Sequence, residues 1–348
     1  MINFVTLFNS NYLSRGMVLY KSLAANCPAF HLYVVAFDDA TFNYLKQHPE
    51  PHLTAISLVE FEDEKLNSIK NSRSATEYCW TCTPTTVLFA IQNFKLDHCI
   101  YIDADLCFYA NPQILMDEWG KSSILITEHH YTPQYDQSAE SGIYCVQFVG
   151  FKNNEAGMRA LNYWRDACIT WCYARSEDGK FGDQKYLDDW TTRFEGVHVL
   201  KHLGGGVAPW NMQQYQFKAR NGKILGTEIL SGKQFESVFF HFHGVKIYKD
   251  NCASLTGESY EMNPDALNLF YKPYILKLLK SASSIHQNTA NAFDANGANQ
   301  NSPAQPINFL LLLRWYLYDL RQNVKNIFGT KTKSRLKHHH FIKLEWPS

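Results

Sequence analysis

Alternation of short apolar runs with longer amphipathic stretches constrains this chain more than any other feature. Phe4-Val5-Thr6-Leu7-Phe8 reads as a strand, and Leu13 to Ala25 carries a helical stripe of Met17, Leu19, Tyr20 and Leu23. Leu32 to Phe37 is a second strand, closed by Asp38-Asp39, and Ala55 to Phe61 reads as a third. Pro84 is placed to open a helix through Val87, Leu88, Ala90 and Ile91, because proline is tolerated in a first helical turn. Ile100-Tyr101-Ile102 is the next strand. Strands separated by helices predict an α/β fold, with a mainly parallel central sheet and helices on both faces. Ligands of such sheets bind outside the carboxyl ends of the strands.

The second half is less regular. Ile143 to Phe151 alternates like a strand, and Ala156 to Tyr173 is an amphipathic helix. Asn221-Gly222 between two strand-like stretches signals a tight hairpin, and Ser237 to His243 is a strand rich in aromatics. From Ser281 to Pro306 the composition turns to Ser, Asn, Ala, Gln and Gly, which is a linker signature. The expected organisation is a catalytic domain over 1–250, a helical extension over 251–280, a flexible linker over 281–306 and a basic amphipathic tail over 307–348. In that tail Leu311, Leu312, Trp315, Leu317, Tyr318, Val324 and Phe328 alternate with Arg314, Arg321 and Lys325, ahead of Lys331, Lys333, Arg335 and Lys337. It is too short and too charged to span a bilayer, but such a helix can lie in the headgroup region.

Charge and cysteine usage narrow the function. Lysine plus arginine number 33 and aspartate plus glutamate 33, so the chain has no overall footprint of a nucleic-acid partner. The start, Met1-Ile2-Asn3-Phe4, lacks the basic flank and apolar core of a signal peptide. Nine scattered cysteines form no framework and suit a reducing compartment, so the expected location is cytoplasmic. Cys79 and Cys82 are formally a C-x-x-C, and Cys168 and Cys172 a second close pair, but both are expected to be ordinary buried thiols.

Chemistry concentrates in four places. Asp103 and Asp105 close the apolar run at Ile100, and carboxylates two residues apart on a continuing strand share one face. Such a pair can grip a divalent cation, Mn²⁺ or Mg²⁺, and present it to a diphosphate. His241-Phe242-His243-Gly244-Val245-Lys246 offers an imidazole ligand, from either His241 or His243, and a lysine for phosphate. Gly182-Asp183-Gln184 sets an acid and an amide beside a glycine before a new helix, where Asp183 could also be an N-cap. Gly204-Gly205-Gly206, followed by Trp210, is either a loop that approaches a sugar or a structural turn.

Taken together, these stretches resemble nucleotide-sugar glycosyltransferases of GT-A fold, the family of glycogenin and the bacterial lipopolysaccharide galactosyl- and glucosyltransferases. Phe4-Val5-Thr6-Leu7 with Tyr12 and Gly16-Met17-Val18-Leu19 is similar to that family's opening strand and helix. Asp103-Ala104-Asp105 matches its D-x-D motif, Gly182-Asp183-Gln184 its acid–amide pair, and His241-Phe242-His243-Gly244 the start of its H-x-x-G-x-x-K motif. Lys246 stands one residue closer to His241 than that motif has it, and Lys249 is a second candidate. The resemblance covers roughly residues 1–250. Glu77 to Pro84 and Ala208 to Asn211 bring the chain nearer to bacterial glycosyltransferases of unassigned sugar.

The resemblance implies a hexosyltransferase working with retention of configuration, with Asp183 and Gln184 catalytic. It implies a nucleotide-sugar donor held by Thr6, Leu7, Tyr12, Asp103, Ala104, Asp105, Gly205, Gly244 and Lys246. The metal would sit on Asp103, Asp105 and His241. The expected acceptor is a glycan or lipid-linked glycan, lipopolysaccharide core included, and the tail suits an anionic membrane surface on the inner face of the cytoplasmic membrane. Rival readings are a sugar nucleotidyltransferase, a D-x-D phosphatase and a sugar-binding module without catalysis. The phosphatase motif belongs on a first strand, and the nucleotidyltransferase needs an N-terminal Gly-rich phosphate loop that this chain lacks.

Overall fold

Residues Ile2–Phe8 (β1) alternate their side chains between two cores. Phe4 and Phe8 enter one apolar cluster with Leu13, Met17 and Leu23, while Val5 and Leu7 enter another with Tyr78, Val87 and Trp164. A sheet buried on both faces is what a mainly parallel α/β arrangement requires. The computed structural model describes residues 1–289, 293–304, 306–322 and 338–344.

The central sheet uses β1, β2 (Phe30–Ala36), β3 (Leu53–Ser57), β4 (His98–Ile102), β6 (Ile124–Glu128), β7 (Tyr144–Lys152) and β8 (Val197–Val199); β5 (Leu106–Phe108) lies outside it. Its order is β3-β2-β1-β4-β7-β6-β8. Only β7 runs against the rest, antiparallel to β4 and β6. Helix α1 (Leu13–Asn26) covers one face. Helices α2 (Ala75–Phe94) and α3 (Glu155–Thr170) cover the other. The expected α/β architecture is therefore present, and all four strands expected before residue 103 exist.

Two local expectations give way to capping. Ser74 and Glu77 form a reciprocal capping box that starts α2 nine residues before Pro84, leaving the proline inside the helix. Proline has no N–H, so the Trp80 carbonyl lacks its helical donor at the turn that faces the cleft described below. A second capping box, Ser57 with Glu60, turns the end of the expected third strand into the short helix Leu58–Phe61.

Beyond β8, β9 (Tyr215–Arg220) and β10 (Lys223–Glu228) form the hairpin expected at Asn221-Gly222, with Arg220 opposite Lys223. β11 (Gln234–Glu236) joins them, and β12 (Phe239–His241) pairs with β5. The extension over 251–280 is not wholly helical. β13 (Lys246–Ile247), β14 (Cys252–Gly257) and β15 (His340–Lys343) form a small antiparallel sheet, so residues 340–343 return to the main body of the protein. Helix α4 (Lys272–Asn288) then packs Ala282 and Ile285 into the α1 core and takes in the first residues of the expected linker. Further along that stretch, Ala295 and Asn296 are buried against α1. Amide and backbone hydrogen bonds hold this segment where apolar anchors are scarce.

The tail helix α5 (Phe309–Gln322) exposes Phe309 (77%), Leu310 (74%), Leu313, Tyr316 and Leu317 along one face. Val324, Lys325, Phe328, Lys331, Lys333, Arg335 and Lys337 lie outside the described residues. No helix among the described residues is long and apolar enough to cross a membrane.

Candidate active site

The acidic pair lies in the tight turn that joins β4 to β5, rather than on a continuing strand. Leu106 donates to the Asp103 carbonyl (3.2 Å), which closes the turn. Because β12 pairs with β5 in the register His241 opposite Leu106, the imidazole is delivered beside both carboxylates. Nε2 of His241 is 3.1 Å from Oδ1 of Asp105 and 3.6 Å from Oδ2 of Asp103. One ligand atom from each of the three lies within 4.8 Å of the others, and no other such His, Cys, Asp or Glu group exists among the described residues.

Gln147, in the middle of β7, holds this arrangement from behind. Its Oε1 accepts the Nδ1–H of His241 at 2.7 Å, and its backbone carbonyl accepts the amide of Asp103 at 3.2 Å. A ring that donates through Nδ1 aims Nε2 at the carboxylates, and a partner of this kind orients a metal-binding histidine. Two carboxylate oxygens and one imidazole nitrogen are a donor set that fits Mn²⁺ or Mg²⁺.

Burial opposes charge on all three groups, and their mutual attraction competes with it. For Asp105 the neighbouring His241 wins and holds the carboxyl low; for His241 the Asp105 carboxylate wins and holds the imidazolium high. For Asp103, burial prevails and raises the carboxyl, although Tyr101 donates to its Oδ1 at 3.0 Å.

Asp103 and His241 line a cleft of about 310 Å³. Trp80 and Phe181 form one wall, with ring centroids 6.3 Å apart; Tyr131, Trp210 and Tyr260 form another. Trp210 meets His241 edge-on at 5.3 Å and anchors its indole N–H on the His129 carbonyl at 2.9 Å. Asp183 and Gln184 line the same cleft. Gly182 has φ +52°, and a Cβ there would press on Trp80 at 3.3 Å, so glycine is needed at this corner. Burial pushes the Asp183 carboxyl up to about 7, with the field of Asp103 in the same direction and a hydrogen bond from Thr83 opposing. Gln184 donates to the Ser141 carbonyl at 2.7 Å, tying the residue to the loop before β7.

A smaller cleft of about 220 Å³ brings together Tyr12, Arg15 and Lys246 with Asn296, Asn299 and Gln300. The Tyr12 ring is 43% exposed and lies within electrostatic reach of Asp105 and Asp103. Lys246 lines this cleft and Lys249 does not; Gly244 belongs to the turn between His243 and Lys246.

The structure thus gathers Asp103, Asp105, His241, Asp183 and Gln184 at one place, and Tyr12 and Lys246 at the next. Ala104 sits between the two aspartates, and His243 stands beside Trp210 (5.7 Å) outside the triad. Thr6 and Leu7 are buried within β1 opposite Val34 and Val35, with neither side chain on either cleft. Gly205 lines neither cleft. A Cβ there would lie 2.6 Å from Leu200 and 2.9 Å from Leu115, so core packing explains this glycine. Gln147, Trp80, Thr83 and Tyr131 were not anticipated. Gln147 carried a readable sign, a lone amide amid the apolar Val146, Phe148 and Val149.

All nine cysteines are free, and Cys82, Cys168 and Cys172 are core residues of the α2–α3 face, as expected. No protein-family model matches the chain. The chain is 29% identical over 281 residues to the uncharacterized protein YfnD of Bacillus subtilis (strain 168), spanning 79% of this chain and 88% of that one. Among solved structures it is similar to mouse xyloside xylosyltransferase 1 in its apo form, at 13% identity and a TM-score of 0.39, over 57% of this chain and 84% of that one. It is also similar to the galactosyltransferase LgtC in complex with donor and acceptor sugar analogs, at 14% identity and a TM-score of 0.38, over 57% and 73% of the two chains.

Proposed function

We propose that this chain is a metal-dependent glycosyltransferase of GT-A type that moves a sugar from a nucleoside-diphosphate sugar to a glycan or lipid-linked acceptor, with retention of configuration. The observation that carries this reading is the convergence of Asp103, Asp105 and His241, of which Asp103 and His241 line a cleft that also holds Asp183 and Gln184. A Mn²⁺ or Mg²⁺ ion held by the triad would act as a Lewis acid and stabilise charge on the departing diphosphate. Lys246 adds a second positive group for the phosphates, and the half-exposed Tyr12 ring offers a face for the base. Trp80, Tyr131 and Trp210 give the sugar apolar faces and keep water from the reacting carbon. Asp183, once ionised, faces the oxocarbenium-like charge that develops there, and the amide of Gln184 positions the donor. A sugar-binding module would need the aromatic walls but not the triad.

Calorimetric titration with a panel of nucleoside diphosphates tests the metal's place. Binding is expected only with Mn²⁺ or Mg²⁺ present, and equal binding in chelator contradicts the reading. Gln147→Leu leaves the three ligands in place but frees the His241 tautomer, so Mn²⁺ affinity should fall about 10- to 100-fold. Unchanged Mn²⁺ affinity in that variant would show that Gln147 does not orient the ligand.

The tail supports a place at the inner face of a bacterial cytoplasmic membrane. The exposed Phe309, Leu310, Leu313, Tyr316 and Leu317 are the kind of face that enters a headgroup region. The basic residues after it would each add about 1 kcal/mol of attraction to anionic lipid. Since β15 belongs to the body of the protein, substitution tests this better than truncation. Phe309→Ser with Leu313→Ser should leave the melting temperature unchanged and abolish sedimentation with anionic vesicles. Equal sedimentation of variant and wild type would reject the membrane reading.

A further inference from the structure

We propose that Arg15 is a positioning residue for the donor site, a latch that ties the 244–246 turn and the 294–297 segment to the start of α1. The proposal rests on the donor-site reading above and adds to it a residue that contacts none of the three metal-binding candidates.

Arg15 stands in the first turns of α1 and is only 3% exposed. Its guanidinium forks between distant parts of the chain. Nη2 donates to the Val245 carbonyl at 2.9 Å, and Nη1 to the carbonyls of Asn296 at 3.3 Å and Asn11 at 3.5 Å. Its central carbon lies 4.4 Å from the Tyr12 ring centroid, a cation–π contact that holds one face of the phenol. Among the described residues no carboxylate lies within ion-pair distance of it, so a buried cation is balanced mainly by carbonyl dipoles, with Asp105 within electrostatic reach. A buried charge is costly unless its donors are satisfied, so the guanidinium holds these carbonyls in place.

The neighbouring contacts make the latch two-sided. The Ser14 amide donates to the Ala295 carbonyl at 3.1 Å, and its hydroxyl donates to Oδ1 of Asn296 at 2.5 Å. Gly297 takes φ +67°, and a Cβ there would lie 2.9 Å from the Asn11 Cβ, so the segment lies hard against the turn that carries Tyr12. On the other side, Val245 donates back to the Phe242 carbonyl at 3.1 Å, closing the turn that runs from His241 to Lys246. Arg15 therefore fixes both Tyr12 and the turn before Lys246, the two assigned donor contacts of the smaller cleft. Sequence separations of 230 and 281 residues hid this junction from any local reading.

Arg15→Gln keeps N–H donors but loses the charge and the fork, and Arg15→Lys keeps the charge alone. Hydrogen exchange of the 243–248 amides should quicken about tenfold or more in both variants, because one ammonium cannot hold two carbonyls. Donor KM should rise about tenfold in Arg15→Gln while kcat moves less than about threefold, with partial recovery in Arg15→Lys. A purely structural role would lower the melting temperature and leave KM alone. Unchanged exchange at 243–248, or an unchanged donor KM in Arg15→Gln, overturns the latch. If wild type turns over no nucleotide sugar, the parent reading fails, and the exchange measurement still decides whether Arg15 holds the turn.

Discussion

Asp105→Ala is expected to abolish sugar transfer, lowering kcat/KM for the donor by on the order of a thousandfold or more. Asp105 is the closer of the two carboxylates to His241, at 3.1 Å against 3.6 Å for Asp103. Its removal leaves one carboxylate and one imidazole, too few to hold a cation against the pull of water. Loss of Lewis-acid stabilisation of the leaving group is worth several kcal/mol, and each 1.36 kcal/mol is about tenfold in rate. The fold should survive, because the turn is held by backbone hydrogen bonds, Leu106 to the Asp103 carbonyl and Phe242 to the Asp105 carbonyl. Donor turnover and melting temperature measured side by side check this. Wild-type activity of the variant in chelator would sink the metal assignment.

Asp183→Asn should lower kcat by about a hundredfold or more, because on the proposed reading it removes the carboxylate that would face developing positive charge on the sugar. It should also change the pH dependence of stability, with a sign that follows from burial. The Asp183 carboxyl is pushed up to about 7 in the folded protein, against roughly 4 in an unfolded chain. The folded state then binds more protons than the unfolded state, so stability falls as pH rises from about 4 through about 7 and levels off above it. Asparagine has no such titration. The melting temperature of Asp183→Asn relative to wild type should therefore climb between pH 5 and pH 8, in metal-free buffer. A gap that stays constant across that range would mean that Asp183 ionises freely in the native protein.

What the sequence made legible was local. Asp103 and Asp105 stand out because the pair ends an apolar run, and Asp183 and Gln184 because a glycine precedes them. Position favoured His241 over His243, but the pairing of β12 with β5 that sets its imidazole beside the carboxylates spans more than a hundred residues and was not legible. Gln147 and Arg15 act through partners 94 and 230 residues away, which no periodicity reports. The Gly204-Gly205-Gly206 stretch read either as a ligand loop or as a structural turn, and at Gly205 the close approach is by Leu200 and Leu115. Composition also misjudged part of the stretch after Ser281. Its asparagines build a packed segment through side-chain and backbone hydrogen bonds, an order that a scarcity of apolar residues conceals.

The His338-His339-His340 run is a similar case. His338 Nε2 and the Tyr135 hydroxyl share a hydrogen bond at 3.2 Å and His340 accepts the Met262 amide at 3.1 Å, so the histidines fasten the chain's return to the body. This contact depends on β14 pairing with β15, Cys252 opposite Lys343, and a linear reading could assign the run only to a tail.

The most direct test of the account is proton NMR of the full chain incubated with a panel of nucleotide sugars, with Mn²⁺ and with chelator. Loss of the donor's anomeric signal, release of nucleoside diphosphate and a first-formed product of unchanged anomeric configuration are expected for at least one donor, with Mn²⁺ only. Donor consumption that proceeds equally in chelator, pyrophosphate in place of a nucleoside diphosphate, or an inverted product would contradict it.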